Sequence, residues 1–370
     1  MTSDFKIKNE IKSLTAFRFL AAFYVFLFHV NARAPIFSDS LLGYFVDEGA
    51  VGMTMFFVLS GFILSHAYHS INIDLRNYLW NRVARIYPIY FLAAILALPW
   101  LAKDILSQPS LFQMVGVGII LFIFGLLLIQ AWIPQTFSFW NNSASWSISN
   151  EAFFYTVFPF LHNHLPLANI KILIYLFIGL SLISSMIPAS AIVFENAPDS
   201  FPLFYALPIF QLPEFVCGMI SYTVMMRVGW STKIRNFLLF LVILGVAHVA
   251  LLGSILPGYT LHNYILIPCV SSSLVLLYKG ELNGISFFGN RVFVWLGQIS
   301  YCFYSFQFHV LEGLRSLLPL DVIGPMLYAI SSTIILLIVA ALAHHLVEEP
   351  ARVWIRQRTM VKRAAEGVII

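Results

Sequence analysis

Arg18 and His29 stand 11 residues apart in one apolar stretch, residues 14–30, LTAFRFLAAFYVFLFHV. An α-helix turns about 100° and rises ~1.5 Å per residue, so the two share a face, about 16 Å apart along the axis. Ionisable groups at two depths of a spanning helix are expensive to bury and mark a functional site by default. The imidazole titrates near neutrality, which suits a general base or an acyl-accepting group. The competing reading is interfacial, with Arg18 snorkelling to the headgroups and His29 at the far boundary.

Four further groups carry polar chemistry into or beside apolar surroundings. Residues 81–88, NRVARIYP, place Arg82 and Arg85 three apart, hence on one helix face. Paired guanidinium groups bind phosphates through their fork geometry, although basic residues here also orient a membrane helix. Pro88 is expected to break or kink that helix. Residues 143–155, SASWSISNEAFFY, gather Trp146, Ser147, Ser149, Asn150 and Glu151. A lone carboxyl at membrane depth must bear a proton or pair with an arginine, Arg18 or Arg85 being the structural partners. In residues 295–311 Tyr301 and Tyr304 share a face with Ser300, either as a hydroxyl stripe or as packed core. His344 and Glu348 are spaced i, i+4, a weak metal-ligand signal at a basic helix end, and no metal is expected.

The elements that must hold these residues follow from composition. The chain has 370 residues, 60% of them apolar and 10% charged, against about 25% charged in soluble domains. It is therefore expected to be an all-α polytopic membrane protein. The net charge of +4 sits in short loops and the tail, which is not a nucleic-acid signature. Cys217, Cys269 and Cys302 lie in apolar runs and read as small core residues without disulfides. The segment 56–62, with Ser60 and Gly61, and Gly52 before it read as close helix packing. The first apolar segment lacks a cleavage site and is expected to remain as the first span.

Apolar segments follow at 50–69, 84–101, 111–133, 146–162, 168–188, 203–226, 236–254, 260–278, 293–313 and 322–347, eleven in all with the first. Basic residues at Lys6, Lys8 and Lys12, in the 70–85 and 227–235 loops, and in the tail argue for the cytoplasmic side. Glu195 and Asp199, without Lys or Arg nearby, suit the other side. Two basic loops on one side require an even number of crossings between them. The polar first turn of 146–162 makes it the half-buried or re-entrant segment. The expectation is a single bundle of about ten transmembrane helices. It comprises a membrane-embedded unit over 1–350 and a basic cytoplasmic tail over 351–370, with both termini cytoplasmic. No internal repeat is visible, which counts against a transporter built from inverted repeats.

In order and across nearly the whole chain, these residues resemble the acyltransferase-3 family of integral-membrane acyltransferases. The family's Arg-x10-His is Arg18 and His29, and its FFxLSGF segment is residues 56–62. Its Arg-x-x-Arg-Ile-Tyr-Pro is residues 82–88, and its WSLSxE stretch is Trp146 to Glu151. Its LGxxSYxxY stretch is residues 296–304, and its closing Glu-x-Pro is residues 348–350. Gln307 and His309 depart from the His and Pro common there, so no His role is carried to either. The resemblance implies transfer of an acyl group, usually acetyl, from cytoplasmic acetyl-CoA (acyl-CoA) to a sugar hydroxyl. The acceptor would be an exopolysaccharide unit, another cell-surface glycan or a lipid-linked sugar, in a bacterial-type inner or plasma membrane among membrane lipids. Arg82 and Arg85 would hold the CoA phosphates, and the Arg18–His29 seam matches a pantetheine arm in length. His29 would deprotonate the acceptor or carry the acyl group, with Glu151 orienting it or acting as partner base. Tyr301 or Ser147 would stabilise the oxyanion, with Trp146 and Tyr304 beside them. The alternative is a transporter or flippase of a lipid-linked or small polar substrate, which would leave its substrate covalently unchanged.

Overall fold

Polar side chains decide where several helices begin. Asp74 accepts hydrogen bonds from the backbone N–H groups of Arg76 and Asn77 and so starts a helix at Leu75. Ser40, Ser110, Ser231 and Asn290 cap four others in the same way. The computed structural model describes residues 10–36, 40–106, 110–133, 136, 145–195, 201–253, 259–286, 288–318 and 320–365. Lys6, Lys8, Ser143 and Asp199 lie outside them.

The described residues are helical throughout, with no strand among them. The first half holds α1 (Lys12–Arg33), α2 (Leu41–Asp47), α3 (Gly52–Ala67), α4 (Leu75–Leu96), α5 (Leu98–Leu106), α6 (Leu111–Leu127) and α7 (Ser145–His164). The second holds α8 (Ile170–Glu195), α9 (Phe201–Ala206), α10 (Pro208–Arg227), α11 (Thr232–Leu252) and α12 (Asn263–Leu282). Then come α13 (Arg291–Leu317), α14 (Leu320–Ala343), a π-helical turn (His344–Glu348) and α15 (Glu349–Ala365).

Helices α1 and α13 run parallel in close contact. Gly297 lies against the backbone of Thr15 near one end, and Arg33 pairs with Glu312 at 2.8 Å at the other. Helices α3 and α10 approach as closely, and at two glycines. A methyl group on Gly61 would meet the backbone of Phe215, and one on Gly218 the backbone of Val58. This is the small-residue packing expected for the 56–62 segment. A buried polar cluster ties the same helices to α8 and α12. Glu214 accepts from the Asn263 amide at 2.6 Å, which also donates to Ser184 at 2.8 Å, while Thr54 donates to Asn263 at 3.0 Å.

One end of the bundle carries the start of α1, hydrogen-bonded to Glu281 at the end of α12. His66 of α3 packs there on Tyr222 and Tyr278, and Arg227 donates to the carbonyls of Pro166 and Ala168. The opposite end carries Arg33–Glu312, Asn31–Asp47 and Glu48–His262.

Seven helical stretches are long and apolar enough to cross a membrane: Lys12–Arg33, Gly49–Ala67, Ile170–Ser190, Leu203–Arg227, Thr232–Leu252, Thr260–Leu282 and Leu320–Arg358. Helices α4, α6 and α13, expected among ten, are not in this set. Helix α6 has only 17 residues. Helix α4 is diluted by Arg82 and Arg85, and α13 by its Gln, Ser and Tyr content. Two local expectations are corrected. Arg82 and Arg85 lie inside α4 rather than in a loop before it, because Asp74 starts the helix early. Helix α4 also continues through Pro88 to Leu96 instead of ending there. Helix α7 begins deep in the bundle, its Ser147 bonded to Tyr304 midway along α13. Helix α6 ends beside that point, where Ser149 donates to the carbonyl of Leu128 at 2.6 Å and Tyr90 to that of Gly125 at 2.7 Å.

Candidate functional site

Arg18, on the polar face of α1, opens into a cavity of about 90 Å³ between α1, α3, α4, α7 and α13. Arg82 and Arg85 reach it from α4, Ser147 and Glu151 from α7, and Tyr301 and Tyr304 from α13. Seven of the residues singled out by type and spacing therefore share one cavity, although their segments are scattered through the sequence. Apolar side chains of α3, among them Met53, Phe57 and Leu64, form its remaining wall.

The cavity is a cationic site with restrained arginines. The Arg82 guanidinium lies 5.5 Å from the ring centre of Tyr155, 5.6 Å from Tyr78 and 6.0 Å from Tyr68. Such rings hold the cation by its face and leave its N–H edge available. The Arg82 Nε is buried without a hydrogen-bond partner. Among the described residues no carboxylate lies within 4 Å of Arg18, Arg82 or Arg85. Glu151 is near enough to act on all three electrostatically, yet its direct bond is from the Tyr155 hydroxyl, at 3.1 Å. Three guanidinium groups and one engaged carboxylate line the cavity, an excess of positive charge that suits a polyanion.

The remaining residues fall into place around it. Ser147 and Tyr304 hydroxyls lie 2.8 Å apart, and Tyr304 also reaches Met53 Sδ at 3.6 Å. Tyr301 donates to the Ile86 carbonyl at 2.8 Å, so its proton is engaged with α4 rather than directed at a ligand. Trp146 does not line the cavity. It is buried behind it, against Tyr205 at 4.8 Å and Phe57 at 6.1 Å between ring centres. His29 is not among the lining residues either. It sits about three helical turns further along the Arg18 face. Its carbonyl accepts from Arg33, and its ring nitrogens have no protein hydrogen bond among the described residues. Ala22 and Val25, which separate the two on that face, are buried at 0% and 3% exposure. The expected seam is thus packed shut between its ends, and Glu151 meets the arginines rather than His29.

The structure brings in Glu348, which the sequence offered as half of a weak metal pair and as the start of the closing Glu-x-Pro, without a role at the arginines. Its Oε2 accepts from Cys302 Sγ at 3.2 Å and lies 2.8 Å from His344 Nδ1. It is also within electrostatic reach of Arg18 and Arg85. Cys302, His344 and Glu348 are the kind of group that can hold a metal, but their own hydrogen bonds already account for the arrangement. The signal in the sequence was the Glu-x-Pro at residues 348–350; the structure adds a π-helical turn over His344–Glu348, and such turns recur at functional sites. That turn could not be read before the structure. Glu214 was also missed; a lone carboxyl inside an apolar segment was its signal.

Residues 11–345 match the family described as "Acyltransferase domain". The chain belongs to the acyltransferase-3 family. As a member it is an acyltransferase and an integral membrane protein. It is 28% identical to "Acyltransferase MdmB" of Streptomyces mycarofaciens over 324 residues, covering 82% of this chain and 79% of that one. It is 26% identical to "Putative acetyltransferase ORF330" of Acidianus two-tailed virus over 263 residues, covering 69% of this chain and 71% of the other. No solved structure matches it. The match takes in the helices of every cavity residue in this acyltransferase-3 chain and stops three residues short of Glu348.

Proposed function

We propose that this acyltransferase moves an acyl group, acetyl first, from cytoplasmic acyl-CoA to a sugar hydroxyl. The acceptor is an exopolysaccharide unit or another cell-surface glycan precursor, free or lipid-linked. The observation that carries the donor assignment is the cavity with three arginines, none of which has a carboxylate within 4 Å among the described residues. Coenzyme A is a polyanion, and forked guanidinium groups suit its phosphates. An acetyl group accords with the relative named a putative acetyltransferase.

In this reading Arg82 and Arg85 grip the phosphates and Arg18 holds the near end of the pantetheine arm. His29 takes the proton of the acceptor hydroxyl as its oxygen attacks the thioester carbonyl. The C–S bond then breaks, and the imidazolium returns the proton to the departing thiolate of CoA. No metal enters the reaction. The arm must bypass Ala22 and Val25, so α1 and its neighbours part when the donor binds. Glu151 balances charge among the arginines and keeps Tyr155 against Arg82. Ser147 with Tyr304 is the better oxyanion candidate, because Tyr301 is engaged with Ile86.

The same reading sets both termini in the cytoplasm of a bacterial-type cell, in its inner or plasma membrane. The bundle crosses ten times if α6 and α7, which meet at mid-depth, make one crossing between them.

The test is acyl transfer in membranes given radiolabelled acetyl-CoA, wild type beside His29→Ala, with label followed into extracted polysaccharide and glycolipid. Label in glycan from the wild type alone is expected. Equal labelling by His29→Ala would overturn the role of His29. No label in glycan or glycolipid from folded wild-type protein, with the host glycan present, would overturn the assigned donor or acceptor.

A further inference from the structure

On the other side of α10 from the arginine cavity lies a lateral slot of about 270 Å³ between α8, α10, α11 and α12. It exists because α11 packs mainly on α12 and α2, leaving a gap toward α8 and α10. Its walls are mostly apolar, with Phe177, Val224, Phe237, Leu241 and Val275 among the lining residues and the hydroxyls of Ser221, Ser271 and Ser272 as the polar exceptions. Helix α11 exposes Phe237, Phe240 and Ile243 at 57–67%, so this side of the molecule faces hydrocarbon in an integral membrane protein. A dry cavity of about 150 Å³ already takes a benzene molecule, whereas water needs two to four polar partners. A larger, mostly apolar gap opening on a bilayer does not stay empty, and hydrocarbon suits most of its wall better than water.

The chemistry at one end of the slot is different. Lys279 and Trp230 line it there, beside Arg227, Lys233 and Arg235 at the α10–α11 turn. Among the described residues none of these four cations has a carboxylate within 4 Å. A tryptophan beside uncompensated lysine and arginine is the pattern of a membrane interface, and such cations attract anionic lipids. We propose that the slot holds an acyl chain of an anionic glycerophospholipid, its headgroup at Lys279 and its tail between α11 and α10. The site is independent of the arginine cavity and of the reaction assigned to it.

The full-length protein in phosphatidylcholine nanodiscs, doped with phosphatidylglycerol carrying a diazirine on its acyl chain, tests this. Irradiation and peptide mapping should place the label on α11 and α12 around Leu241 and Val275. Unlabelled phosphatidylglycerol should compete and phosphatidylcholine should not. Lys279→Glu should lower labelling roughly tenfold or more, since each basic residue near the surface contributes about 1 kcal/mol and here its sign is reversed. Leu241→Trp, which fills the slot from the less buried helix, should abolish the label there while leaving acyl transfer intact. Label spread evenly over all lipid-facing helices, or equal competition by phosphatidylcholine, would overturn the proposal. So would competition by a polyprenyl phosphate alone, which would make the slot a berth for a lipid-linked acceptor.

Discussion

Arg82 differs from an ordinary membrane-interface arginine in having three tyrosine rings against its guanidinium and a buried Nε with no partner. A lysine there keeps the charge but loses both the flat stacking surface and the fork. Arg82→Lys and Arg85→Ala are each expected to raise the KM for acyl-CoA roughly tenfold to a hundredfold. That matches ~1.5–3 kcal/mol for a hydrogen bond to a charged group. A flat KM in both, measured on purified enzyme over a range of acyl-CoA, would reduce them to orientation residues. His29→Ala and Arg18→Ala should each abolish transfer with little loss of folded protein, judged by gel filtration in detergent. Tyr304→Phe should lower kcat more than it raises KM if the Ser147–Tyr304 pair meets an oxyanion; removing such a donor costs about 100- to 1,000-fold. A change in thermal stability alone would make the pair structural.

At the scale of elements, polar atoms and missing side chains set the packing. Glu214 is fully buried and serves as acceptor for Asn263 at the meeting of α3, α10 and α12. Glu214→Gln keeps an acceptor oxygen in place and should be tolerated. Glu214→Leu strips it, leaving a buried Asn263 N–H short of a partner at a cost of about 1–3 kcal/mol, visible as a lowered Tm in detergent. Gly218→Ala puts a methyl group into the backbone of Val58, so α3 and α10 must move apart. Overpacking of this kind costs about 1–3 kcal/mol, and because α3 walls the cavity, acyl-CoA affinity should fall as well. Unchanged Tm and KM would show that this contact is looser than its geometry implies.

For the whole molecule, the bundle segregates three environments: a cationic cavity toward the end that carries Lys12 and Arg227, an apolar slot beside it, and His29 in the opposite half. Transfer across that distance is what a membrane enzyme with a donor on one side and an acceptor on the other would need. Single cysteines placed at residue 76 and at residue 315, in a variant lacking Cys217, Cys269 and Cys302, report the sides. An impermeant maleimide added outside intact cells should label position 315 and spare position 76. The reverse pattern would invert the topology and move the acyl-CoA site to the wrong compartment.

Membrane embedding was legible from the sequence alone, because hydropathy is local and a run of apolar residues needs no partner to be recognised. So were the cavity residues Arg18, Arg82, Arg85, Glu151, Ser147, Tyr301 and Tyr304, because charge or hydroxyl in an apolar segment stands out at any position. The Arg18–His29 face followed from helix geometry, but whether that face is open did not, since Ala22 and Val25 are buried by helices distant in sequence. The start of α4 is encoded by the Asp74 cap, a polar signal that apolar runs do not carry. The convergence of α4, α7 and α13 on one cavity, the engagement of Tyr301 with Ile86 and the bond of Cys302 to Glu348 belong to the tertiary structure. So does the gap between α11 and α10. Each is a contact between segments whose relative position is set by close packing of whole helix faces, and no local pattern in the chain encodes that distance.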